Sequence, residues 1–178
     1  MIASITQEKI YQLEVQLLEA VRNFVEVLYD FDETVFNQRI NADNWSAAQV
    51  GCHVVKSLTL IHQLVNGPVE ACPRSADENI AILKRGMEDM HVKGKSAEIL
   101  RPGTEYISRT LIRTATTEAE QALLKDIRDL DLTLVCQGMD FPELGRLTRY
   151  ELIGFAGFHM DRHRKQLLTI WQSLNKRA

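Results

Sequence analysis

Apolar residues recur at spacings of three and four over most of this chain, and that period leaves few folds open. Between about Gln7 and Asn37 the stripe is Ile10, Leu13, Leu17, Ala20, Phe24, Leu28, Phe31 and Val35. Such a stripe runs along one face of an α-helix, here of roughly eight turns at 3.6 residues each. A helix with one apolar face must bury it against other elements. The chain has 178 residues, enough to enclose one sizeable core without staples.

The same period recurs downstream. Ser46-Ala47-Ala48-Gln49 matches a capping box, in which the serine hydroxyl meets an orphan N–H and Gln49 reaches back. The helix it opens runs to about Asn66 and stops at Gly67-Pro68; Val69 to Ala76 reads as a loop. A third helix spans Asp77 to about His91 and stops near Gly94. Lys95 to about Thr116 is an irregular connection containing Pro102-Gly103. Weak alternation from Glu105 to Arg113 admits a short strand without requiring one. A fourth helix starts at about Thr117, with Glu118 and Glu120 where the macrodipole favours them. It continues through Leu123, Leu124, Ile127, Leu130 and Leu134 to about Gln137. Gly138 to Arg146 is turn-rich, and Thr148 with Glu151 forms a second capping box for a last helix reaching about Leu174. No repeat, low-complexity tract or long linker interrupts the chain. The expectation is one all-α domain over residues 1–178, a helical bundle of four long helices with one extra short helix.

Charge and cysteine usage narrow the function classes. There are 24 acidic and 21 basic residues, a formal net charge of -3, which argues against the basic footprint of a general nucleic-acid binder. Cys52, Cys72 and Cys136 are odd in number and share no short spacing. They suit free thiols in a reducing compartment better than a disulfide framework. The opening MIASITQEKIYQLEVQ lacks a basic n-region followed by an apolar h-region. No stretch approaches about 18 uncharged apolar residues. A cytoplasmic protein without a membrane span is expected.

The five histidines carry the chemistry. His159 and His163 are one helical turn apart and share the seam of Leu152, Phe155 and Ile170. His53 lies on the seam of Val50, Val54, Ser57, Ile61 and Leu64. His62 is roughly 180° from His53 around the helix, and His91 belongs to no stripe. Three imidazoles on core-facing seams each need partners for two ring nitrogens. Either each is a hydrogen-bonded packing residue, or a divalent metal satisfies one nitrogen on each. A three-histidine set leaves coordination positions open, which is the catalytic arrangement. The pattern leaves undecided whether His53 approaches the other two.

Several neighbours are candidates for support. Gln49 and Ser57 lie one turn before and after His53, and Gln166 lies three residues after His163. Each could bond a ligand's second nitrogen or a bound water. Alternatively Gln49 only caps its helix and Gln166 is solvated. A general base is harder to find. Asp161 is roughly 200° from His159 and Glu151 belongs to its cap. Asp30, Asp32 and Glu33 remain as acidic candidates or as a solvated face. Cys52, about 100° from His53, reads as a small packing residue, Trp45 as a cover for the bundle end, and Arg162 and Arg164 as exposed charges.

Three segments together resemble the DinB/YfiT-like superfamily. Asn44-Trp45-Ser46-Ala47-Ala48-Gln49-Val50-Gly51-Cys52-His53 is similar to its N-W-S-x-x-[QE]-x-x-x-H segment. Phe141-Pro142-Glu143-Leu144-Gly145-Arg146-Leu147-Thr148 is similar to the P-x-x-G-x-x-T approach to its last helix. His159-Met160-Asp161-Arg162-His163-Arg164-Lys165-Gln166 is similar to its H-x-x-R-H-x-x-Q signature. The resemblance implies an up-down-down-up four-helix bundle with extra short elements. It implies a divalent ion, nickel or zinc, on His53, His159 and His163, and a homodimer. It further implies a metal-dependent hydrolase or a thiol-dependent S-transferase acting on a small molecule with a low-molecular-weight thiol. The competing function is a metal-binding or structural bundle without turnover.

Overall fold

The computed structural model describes residues 5–91 and 96–176. The expected helix stop at Gly94 and the start of the irregular connection at Lys95 lie outside the described residues. The first helix, α1, is Gln7–Tyr29, capped by the Thr6 side chain accepting from the Lys9 N–H. It ends earlier than its apolar stripe does. The chain turns at Asp30 and a single-turn helix α2 follows, Glu33–Phe36, with Asp32 at its N-cap. Phe31 and Phe36 are both fully buried and meet edge to face at 6.4 Å. The apolar period therefore continues across a helix break.

The second long helix, α3, is Ala47–Val65, with both hydrogen bonds of the Ser46–Gln49 capping box present. A two-residue strand β1, Val69–Glu70, and the helix α4, Ile80–Glu88, come next. A 3₁₀ turn, Glu98–Leu100, precedes α5, Arg109–Asp129. The expected fourth helix is thus displaced toward the N-terminus. Thr116 sits on its inward face: it is fully buried, and its hydroxyl donates to the Ile112 carbonyl at 2.7 Å. A polar residue on the apolar face hides two helical turns from a hydrophobicity reading. At the other end the Asp131 carboxylate accepts from the Thr133 N–H at 2.9 Å and hydroxyl at 2.7 Å. That local turn competes with helix continuation.

Residues Val135–Phe141 then form strand β2 and Gly145–Thr148 strand β3. The three strands make one antiparallel sheet in the order β1-β2-β3, with Val69 opposite Cys136 and Phe141 opposite Gly145. Glu143 and Gly145 take positive φ values of 65° to close the link, a conformation that glycine adopts without steric cost. The all-α expectation is corrected accordingly: the protein is mostly helical and carries a small sheet. The last helix, α6, is Arg149–Asn175.

Hydrogen bonds give the helix directions. Gln16 of α1 donates to the Gly154 carbonyl, and Trp171 donates to the Asp30 carbonyl, so α1 and α6 are parallel. Arg109 reaches the Phe31 carbonyl and Arg128 reaches Glu14, so α5 runs antiparallel to α1. His62 near the end of α3 meets Asp126 near the end of α5, so those two are parallel. Arg149 donates to the Val65 carbonyl at 2.7 Å, placing the start of α6 at the end of α3. α1 packs on α5 and α6, and α3 packs on the same two. Phe24, Leu58, Leu123, Ile153 and Met160 are fully buried where the four meet.

The cap of α6 also ties in a distant segment. Glu151 is wholly buried. Its Oε1 accepts from the Asn79 N–H at 2.8 Å and from Arg74 at 2.6 Å. Its Oε2 accepts from the Thr148 N–H at 3.0 Å and from Arg74 at 2.7 Å. Among the described residues no helix is long and apolar enough to cross a membrane.

Candidate metal centre

The antiparallel pairing of α3 and α6 brings the early part of one against the middle of the other. His53 and His159, 106 positions apart, meet with Nε2 atoms 3.2 Å from each other. The one-turn spacing on α6 stacks His163 beside His159, with Nε2 atoms 3.0 Å apart. His53 and His163 are buried and His159 is half-buried, and ligand atoms of all three lie within 4.8 Å of one another. The three histidines are therefore close enough to bind one metal ion.

Their outer nitrogens decide what they present to that point. The Nδ1 of His53 lies 3.0 Å from the Leu100 carbonyl oxygen, and the Nδ1 of His163 lies 2.8 Å from Oε1 of Gln166. A neutral imidazole facing an acceptor carries its proton on that nitrogen. Both rings thus turn an unprotonated Nε2 toward Nε2 of His159. One neutral ring cannot donate well to both. If its proton sits on Nδ1 instead, three lone pairs converge. Nδ1 of His159 is buried without a hydrogen-bond partner. A cation at the convergence point satisfies all three Nε2 atoms together. The spacing of the two pairs that include His159 agrees: two nitrogens on one ion at about 2.0–2.1 Å stand roughly 2.9–3.4 Å apart between right-angle and tetrahedral geometry.

Burial pushes all three imidazoles toward the neutral form. His163 falls to about 4 through burial and then the neighbouring His53. His159 lies well below its ordinary value, through burial and then His163 and His53. His53 is lowered by burial against the opposing Leu100 hydrogen bond. The sign follows from linkage. Above the unfolded value of 6.5 both states bind the same protons at these rings. Below it the unfolded chain binds more, so stability falls with pH. Metal-free protein is expected to lose stability between pH 6.5 and about 4, by about 3 kcal/mol from His163 alone. Urea midpoints across that window check this, and a flat profile above pH 4.5 contradicts it.

Aromatic rings wall the cluster. Trp45 packs on His53 with centroids 5.1 Å apart, and Phe155 stacks on His159 at 5.4 Å. Phe141 of β2 meets Phe155 edge to face at 5.3 Å, so the hairpin braces this wall. Among the described residues no carboxylate hydrogen-bonds to any of the three rings. Besides burial and the rings' effect on one another, Lys56 lowers His53 slightly and Arg162 does so for His159 and His163.

The other named residues fall into place around this. Gln166 touches His163. Ser57 does not reach a ring; its hydroxyl donates to the His53 carbonyl at 2.9 Å. Gln49 accepts from the Ser46 N–H through Oε1 at 3.1 Å and donates through Nε2 to the Gly103 carbonyl at 2.8 Å. His62 bonds the buried Asp126 carboxylate at 2.6 Å, clasping α3 to α5, and His91 is exposed. Asp161 pairs with Arg164 at 3.5 Å, and Glu33 pairs with Arg109 at 3.2 Å. Arg162 and Arg164 are partly buried rather than exposed. Arg162 donates to the Met87 and Asp89 carbonyls at the end of α4. The three cysteines are free. The Leu100 carbonyl has no sequence signature, because every residue has one. Of the aromatic wall, Trp45 reads from the sequence as a cover for the bundle end, and Phe141 and Phe155 only as apolar residues. No family model, curated protein or solved structure matches this chain.

Proposed function

We propose that this chain is a divalent-metal-binding protein of the DinB/YfiT-like kind, and that its four long helices make an up-down-down-up four-helix bundle decorated by the small sheet. The parallel pairs α1/α6 and α3/α5 support that topology. The observation carrying the metal reading is the convergence of three Nε2 atoms, two of them on rings whose opposite nitrogen lies against an oxygen. His53, His159 and His163 would hold the ion, nickel or zinc by the resemblance, and imidazole donors suit both. Such an ion supplies Lewis acidity toward an oxygen or sulfur ligand.

The protein's own residues do the rest. Leu100 and Gln166 orient two rings, and Trp45 and Phe155 limit water. The reading places a small-molecule reaction here, either metal-dependent hydrolysis or S-transfer from a low-molecular-weight thiol. Among the described residues no carboxylate bonds to the rings, which leaves attack by water without an evident base and keeps S-transfer open.

Metal analysis of the purified protein tests this. About one nickel or zinc per chain is expected, removed by a chelator and restored by either ion. Restoration at about 100 times Kd is expected to stabilise the fold by about 2.7 kcal/mol. A chain that neither retains metal nor gains thermal stability from it refutes the reading.

A further inference from the structure

We infer that Gln49 is a positioning residue for the histidine cluster, acting through the segment 96–107 rather than by touching a ring. This deepens the metal reading and rests on it only for its effect on affinity. The segment lies across α3 as a strap. Leu100 gives its carbonyl to His53, and the Ser96 hydroxyl is 3.4 Å from the same nitrogen. Lys56 donates to the Arg101 carbonyl at 2.7 Å from an exposed position. Asn37 pairs with the backbone of Ile107 through two 2.9 Å bonds. The anchor nearest Leu100 that comes from a buried side chain is the part-buried bond from Gln49 Nε2 to the Gly103 carbonyl.

Pro102 lies between that anchor and Leu100, and its fixed φ stiffens the link. Holding Gly103 therefore holds the Leu100 oxygen against His53 Nδ1. That contact keeps the proton on Nδ1 and leaves Nε2 free as a ligand. Gln49 sits one turn before His53 on α3, so one side chain sets the helix start, the strap and the tautomer of a ligand.

The two functions of Gln49 separate cleanly in Gln49→Glu. The carboxylate keeps the acceptor for the Ser46 N–H, and Glu is a normal capping-box partner. It loses the donor and sets an oxygen against the Gly103 carbonyl. Metal-free wild-type protein labelled with ¹⁵N at histidine is expected to show His53 as a single Nδ1–H tautomer. In Gln49→Glu the pattern becomes a mixture while His163 is unchanged. Zinc affinity by chelator competition falls roughly 10–100-fold, despite the added negative charge. Asn37→Ala, which frees the far end of the strap, moves both readouts the same way by less and serves if the first variant does not fold.

An unchanged His53 pattern in Gln49→Glu overturns the inference. So does an affinity loss with that pattern intact, which would act by some route other than the Leu100–His53 contact. A wild-type chain that binds no zinc refutes the metal reading instead, and the tautomer comparison still decides this one.

Discussion

His159→Ala is expected to abolish metal retention while leaving the metal-free fold about as stable as before. His159 supplies the middle nitrogen, 3.2 Å from His53 and 3.0 Å from His163. Without it two ligands remain on different helices, fewer than the three protein ligands of an open catalytic site. The stability side follows from its surroundings. The variant loses the ring stacked on Phe155. It also removes a buried Nδ1 without a partner, a situation that costs about 1–3 kcal/mol. The two terms oppose, so urea unfolding of the metal-free variant should lie within about 1 kcal/mol of metal-free wild type. Metal content after gel filtration is the companion measurement. One ion per chain in the variant would remove His159 from the ligand set.

Glu151→Ala is expected to do the reverse, lowering stability by about 3–5 kcal/mol while folded molecules still bind metal. The carboxylate is wholly buried and accepts four hydrogen bonds, two of them from Arg74. Removing it strands a guanidinium that is only 20% exposed and leaves the Asn79 and Thr148 N–H groups without this acceptor. It also deletes the capping box at the start of α6. Glu151→Gln keeps an acceptor for the cap and loses the charge, so its cost should be smaller. The cost of Glu151→Gln reads the lost charge, and the further cost of Glu151→Ala reads the lost acceptor and packing. A loss below about 1 kcal/mol for Glu151→Ala would show that the pair contributes little net stability.

Local rules predicted most of what local chemistry controls. Both capping boxes were readable to the residue, because Ser46 with Gln49 and Thr148 with Glu151 act over three positions. The break at Asp30 was not, since Phe31 and Phe36 keep the apolar period on both sides of it. The hairpin was hidden similarly. Leu130 and Leu134 prolong the stripe of Leu123 and Ile127, whereas the Asp131–Thr133 turn that ends the helix is polar and short. For the site, the seams placed His53, His159 and His163 inward without showing that they meet. That meeting depends on two helices far apart in sequence running antiparallel. The Leu100 carbonyl and the strap anchor on Gln49 depend on tertiary placement alone.

The parallel alignment of α3 and α5 has a geometric consequence. Two side-by-side helices that point the same way cannot be joined by a tight turn, since the chain must first travel back. α3 has 19 residues, so that journey covers about 28 Å at 1.5 Å per residue. The connection from residue 66 to residue 108 makes it, by way of β1, α4 and the 3₁₀ turn. Its final stretch passes over His53 because that is where the journey ends, beside the start of α5. The oxygen that orients the His53 ring is thus delivered by the topology: the roof of the histidine cluster is the route home.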